Sequence, residues 1–259
     1  ELWAHDTSNS STWQVADIHS GSPDSNPGEY LQILVGDTLY FSAQTSGQGS
    51  ELWAHDTSNS STWQVADIRS GTQSSDPGEY FQILVGDTIY FDALWASNSI
   101  TSPEHELWAH DTSNSSTWQV TDINSGATAT PGFYMDILVG DTIYFSATGG
   151  SSATELWAHD TSNSSTWMVD DINSGGYGNP GRYVKFLVGD TLYFSADDGV
   201  DGNELWAHDT SNSSTWQVAD INTGTDGSWS HLSLGRFLNT LVGDTLYFRA
   251  DGGSDGSEL

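Results

Sequence analysis

The sequence predicts an all-β fold, a five-bladed β-propeller with four antiparallel strands per blade. Three observations carry this. The stretch Glu1-Leu2-Trp3-Ala4-His5-Asp6-Thr7-Ser8-Asn9-Ser10-Ser11-Thr12-Trp13 recurs letter for letter from Glu51, Glu106, Glu155 and Glu204, a period of about fifty residues. Each period holds four short runs rich in Val, Ile, Leu, Tyr, Phe and Trp, bounded by turn residues. These runs are apolar on both faces, as in Leu34-Val35 and Tyr40-Phe41. That suits blades covered on both sides by neighbours and not an open sheet with one wet face. A stack of open sandwiches is the alternative.

In the first copy the strands fall at Glu1–Asp6, Thr12–Ile18, Tyr30–Val35 and Thr38–Ala43. Thr7 to Ser11 reads as a hairpin whose Ser and Asn side chains bond nearby backbone. Val35-Gly36-Asp37-Thr38 reads as a tight hairpin. Ser20–Gly28, with two prolines, is a loop. No stretch carries a useful helical period. Residues 1–259 read as one domain of five repeats, and Glu258-Leu259 begins a sixth copy. With no initiator Met and no visible signal peptide, a mature or excised piece is expected.

Composition narrows the function classes. Thirty-five acidic residues face five basic ones, a formal charge of −30. Such a chain repels polyanions, which argues against nucleic acid and anionic membrane surfaces as partners. No apolar run approaches the ~20 residues of a membrane span, so no membrane insertion is expected. The chain has no cysteine, which excludes disulfides and thiolate metal sites. Clustered carboxylates point instead to Ca2+. The candidate ligands are Asp197, Asp198, Asp201 and Glu204, with Asp251 and Asp255 in a weaker second copy of the loop.

The repeat resembles the ELWxxDGT-type repeat of bacterial and archaeal extracellular proteins. It shares Glu1-Leu2-Trp3, Asp6, Thr12, Asp17-Ile18, Pro27, Gly36 and Leu39-Tyr40-Phe41. It departs at Thr7-Ser8, where the family has Gly-Thr, and at Ser11, where it has Gly. The resemblance covers essentially the whole chain. It implies propeller blades in an extracellular or cell-surface protein, and no particular activity. It also implies the phase of the blades, from the Tyr30 strand innermost, through the Thr38 and Glu51 strands, to the Thr62 strand outermost. In that phase the first two strands of the chain complete a blade begun by Phe237–Val242 and Thr245–Ala250. The termini then share one blade, and closure hides the sheet edges.

In this phase the invariant hairpins lie on one face and the loops that differ between copies on the other. Loops on a rigid scaffold are where binding residues concentrate. The candidates on the variable face are Trp95, Phe133, Asp136, Tyr177, Arg182, Lys185, Trp229 and Arg236, with Trp95, Tyr177 and Trp229 as stacking platforms. Five identical His-Asp pairs, at His5, His55, His110, His159 and His208, read as turn contacts. Catalysis needs different groups converging on one centre. Asn9, Asn59, Asn114, Asn163 and Asn212 each stand in an Asn-Ser-Ser sequence, the acceptor pattern for glycosylation.

The expected function is therefore a non-enzymatic extracellular binding or adhesion propeller, lectin-like, whose partner is a carbohydrate or another surface protein, including a second copy of itself. A purely structural, glycosylated and self-associating module is one alternative. A glycosidase using Asp136 with Glu29 or Glu79 is the other.

Overall fold

A computed structural model describes residues 1–21, 23–45, 47–95, 104–150, 153–221, 239–251 and 257–258. Trp229, Arg236 and Asp255 lie outside these, and the described part of Asp251 is its backbone. Every regular element among the described residues is a β-strand. The chain divides into two compact units, Glu1–Thr130 and Pro131–Leu259.

The first unit opens with a two-stranded hairpin, β1 (Leu2–Asp6) and β2 (Ser11–Ala16). Two four-stranded antiparallel sheets follow. One runs β3 (Gln32–Val35), β4 (Thr38–Gln44), β5 (Ser50–Asp56), β6 (Ser61–Ala66). The next runs β7 (Gln82–Val85), β8 (Thr88–Trp95), β9 (Glu104–Asp111), β10 (Ser116–Thr121). The second unit repeats the arrangement with β11 (Asp136–Val139), β12 (Thr142–Thr148), β13 (Thr154–Asp160), β14 (Ser165–Asp170), then β15 (Lys185–Val188), β16 (Thr191–Asp197), β17 (Asn203–Asp209), β18 (Ser214–Ala219). It ends in two short pairs, β19 (Asn239–Val242) with β20 (Thr245–Phe248), and β21 (Ala250–Asp251) with β22 (Ser257–Glu258).

The strand order within each four-stranded sheet is the expected one. The blade expected to be shared between the termini is not a single sheet, since β1–β2 and β19–β20 are each two-stranded. Ala250 instead pairs with Glu258, in the register that Ala43 keeps with Glu51. The inner strands are also shorter than expected, with Tyr30 and Leu31 outside β3. Leu31 O still accepts the Ser42 N–H at 3.0 Å, but Ser42 O takes the Gly28 N–H at 2.8 Å and Ser42 Oγ the Tyr30 N–H at 3.0 Å.

Local chemistry explains the hairpins. Val35 pairs with Thr38, leaving Gly36 and Asp37 as a two-residue loop with φ +59° at Gly36, the glycine-first pattern of a type II′ turn. In the longer hairpin Asp6 Oδ1 accepts the Ser8 N–H and Oγ–H at 2.8 and 2.6 Å, and Oδ2 accepts an Asn9 Nδ2–H at 2.7 Å. Asn9 Oδ1 then accepts the Ser11 N–H at 2.9 Å. This lets Ser10 adopt φ +59°, a left-handed conformation that serine seldom takes. The other four copies repeat the network. The Thr57 N–H and Oγ–H both reach Asp37 O, tying the two kinds of hairpin together.

The core lies between the sheets of each unit. In the first unit Leu31, Tyr40, Leu52, Ala54, Ile68, Ile89, Phe91, Ala93 and Trp108 form one cluster. In the second, Met135, Tyr144, Leu156, Ala158, Ile172, Leu192, Phe194 and Ala196 form its counterpart. Tyr40 and Phe41, neighbours facing opposite ways, are both buried, as blades covered on both sides require. Gly78 has φ +80°, and a Cβ there would stand 2.8 Å from Leu31 Cβ. Gly181 repeats this against Met135, so both backbone angle and close approach demand glycine.

Candidate functional site

The repeated glutamate is a structural pin. Glu51 is fully buried, and its Oε2 accepts the Ile68 N–H at 2.7 Å and the Ser75 hydroxyl at 2.8 Å. Glu106, Glu155 and Glu204 bind Ile123, Ile172 and Ile221 in the same way, each at 2.9 Å. Burial pushes the Glu51 and Glu155 carboxyls up to about 7 and that of Glu106 to about 8. The repeated histidines bridge strands, with His55 Nδ1 2.8 Å from Thr62 Oγ1 and the same pairing in every copy. His110 also packs on Tyr40 of the neighbouring sheet, with ring centroids 5.3 Å apart.

Side chains that differ between copies gather around the loops that enter the inner strands. In the first unit Asp92 stands where three other copies have Ser42, Ser146 and Ser195 and the last has Arg249. Like those serines, it accepts the backbone N–H groups of the loop, Tyr80 and Phe81, both at 2.9 Å. Its second oxygen holds His105 Nδ1 at 3.0 Å, and His105 Nε2 lies 3.6 Å from Glu79 Oε2. The Tyr80 ring covers the imidazole at 5.1 Å. Burial raises the Asp92 carboxyl despite these donors. Burial, then the Glu79 contact, pushes the Tyr80 phenol to about 12. Burial, then Glu79, also raises Asp76. The sequence reading missed this Asp92–His105–Glu79 chain. The aspartate in a mostly serine column was its one signal.

In the second unit Lys185 Nζ donates to Asp136 Oδ1 at 2.7 Å. The Arg182 guanidinium lies over two tyrosine rings, 5.5 Å from Tyr134 and 5.3 Å from Tyr183. Phe133 meets Tyr134 edge-on at 4.6 Å and is 47 % exposed.

The column at the start of the inner strand therefore faces neighbouring sheets as well as solvent. Gln82 Oε1 accepts the Gln32 N–H at 3.0 Å, while its Nε2 donates to Tyr30 O at 3.2 Å. Asn239 Nδ2 donates to Tyr183 O at 2.9 Å in the same manner. Of the expected stacking platforms, Trp95 packs against Trp108 at 5.7 Å, and Tyr177 is exposed in the second unit. In the expected cation loop, Asp197 Oδ1 accepts the Gly199 N–H, and Asp198 Oδ1 accepts those of Val200 and Asp201. Glu204 serves as a pin. Among the described residues no three acidic or histidine side chains converge as metal ligands. Each sequon asparagine is held at both ends of its amide, as Asn9 is.

No protein-family model matches the chain, and no curated protein does. Solved structures resemble it in fold. One, from a study of two prolyl endopeptidases, superposes with TM-score 0.58 at 12 % identity over 95 % of this chain and 35 % of that one. Dipeptidyl peptidase 4 from Porphyromonas gingivalis superposes with TM-score 0.54 at 8 % identity over 85 % and 29 %. The chain thus spans about a third of the length of the proteins it resembles. The fold is all-β and β-propeller-like. This corrects the expectation of a lectin-like binding, purely structural or glycosidase-like propeller, because the two structures it superposes on are peptidases. Asp136, the acid on which the glycosidase reading turned, is ion-paired with Lys185.

Proposed function

We propose that the chain is the propeller part of a peptidase assembly, non-catalytic by itself, which positions or admits peptide for a catalytic part elsewhere. The observation that carries this is the match of nearly the whole chain to about a third of a prolyl endopeptidase structure. The repeat supports it, because the invariant Glu, His and Asp side chains hold strands and turns together in copy after copy. We further propose that the ring has five blades, the hairpins β19–β20 and β1–β2 supplying the fifth.

The test uses the native protein, recovered with an antibody to this chain and assayed on a prolyl peptide substrate. Peptidase activity should accompany the recovered protein, while the 259-residue chain alone should show none. Native protein that is inactive and has the bare 28.0 kDa mass would refute the reading.

A further inference from the structure

We propose that Arg182 is a receptor for a carboxylate carried on an apolar group, with Phe133 as the apolar wall beside it. In a chain where acids outnumber bases by 35 to 5, a basic side chain should find a carboxylate. Lys185, three residues on, does so with Asp136. Arg182 is exposed, yet among the described residues no carboxylate pairs with it. Two aromatic rings flank it, Tyr134 from the loop entering β11 and Tyr183 from the loop entering β15.

That arrangement suits capture of an anion. Two tyrosine rings within about 6 Å of the guanidinium carbon favour the charged group where it stands by cation–π attraction, and its exposure leaves N–H donors within reach of solvent. A carboxylate can take two of those donors in parallel hydrogen bonds. Positioning the group in advance lowers the ordering cost of binding. Phe133, packed on Tyr134, adds exposed apolar surface beside the same rings.

The first unit shows the contrast. Glu79 takes the place of Arg182 in that copy, also beside a tyrosine, but there His105 lies against it. One copy thus carries an anion that already has its histidine, and the other a cation without its anion. This inference stands on the second unit alone and is independent of the peptidase reading.

The probes are N-acetyl-phenylalanine and its amide, titrated against the full chain by NMR or calorimetry. The acid should bind roughly five-fold tighter than the amide, the range of one exposed ion pair. Arg182→Gln should erase that difference, and Arg182→Lys should keep only part of it, because ammonium cannot offer the paired edge. Phe133→Ala should weaken acid and amide alike. Thermal melts would show that each variant folds. Equal binding of acid and amide, binding of neither, or a difference that survives Arg182→Gln would overturn the proposal. Displacement of the acid by inorganic phosphate at equal concentration would overturn the carboxylate assignment.

Discussion

The buried carboxylate of Asp92 holds Nδ1 of His105 at 3.0 Å while its other oxygen accepts two backbone N–H groups. One side chain thus does the structural work of a serine and also orients an imidazole. The two tasks separate by mutation. Asp92→Ser keeps an acceptor for Tyr80 and Phe81, as Ser146 does for Tyr134 and Met135. It should be nearly neutral in urea melts but should shift the His105 ring signals in NMR. Asp92→Ala strands the buried donors and should cost about 1–3 kcal/mol. Equal stability of the two variants would contradict this.

The Glu pins make stability depend on pH. A carboxyl raised from its ordinary 4.5 to about 8, as in Glu106, binds its proton more tightly in the folded state. Stability from that group is fully present below pH 4.5 and falls as pH rises to about 8. Glu106→Gln is neutral throughout, so the wild type should lose stability relative to this variant, by a few kcal/mol, across that window. A constant difference between the two melting curves from pH 4.5 to 8 would refute the assignment.

Gly78 answers to both backbone angle and space. Gly78→Ala places a methyl group 2.8 Å from Leu31 Cβ at φ +80°. Overpacking with a left-handed backbone should cost about 3 kcal/mol. Gly86→Ala has the angle (φ +59°) with open space around it and should cost only about 1–2 kcal/mol. Similar losses at the two sites would show that the close approach does not matter.

Lys185 and Asp136 are partly exposed, at 42 % and 30 % of their side chains. A double-mutant cycle with Lys185→Met and Asp136→Asn should therefore give a coupling of about 1 kcal/mol or less. A coupling several times larger would mean that the pair is far better shielded from water than its exposure indicates.

The proposed fifth blade can be trapped. If β20 lies beside β1 as β4 lies beside β5, Tyr247 faces Ala4 as Tyr40 faces Ala54. In this cysteine-free chain, Ala4→Cys with Tyr247→Cys should form an intramolecular disulfide under mild oxidation. Mass spectrometry that finds only free thiols or cross-linked dimers would count against it.

Much of the scaffold was legible because its signals are local. Val35 to Thr38 announce a two-residue turn within four letters, and Asp6 to Ser11 carry their own hydrogen-bonding partners. Tyr30 and Leu31 fit a strand by their apolar character, but the Ser42 hydroxyl, twelve residues from Tyr30, takes the Tyr30 N–H and Ser42 O takes the Gly28 N–H, which ends the regular pairing at Gln32. The Asp92–His105 contact joins residues separated by an insertion, and the spacing of neither reveals the other. Their variation between copies suggests that Asp136 and Lys185 face a ligand. They vary in this unit as a matched pair, a relation that appears once the two sheets are side by side.

The bond from Glu51 to the Ile68 N–H also bears on cleavage. The exposed Thr57–Ser60 turn is the natural place for a protease to cut. Downstream of that cut, the segment beyond β6 stays buckled to β5 through Glu51, and β6 stays laddered beside it. A molecule nicked there should therefore migrate as one particle in native gels and come apart only in denaturant.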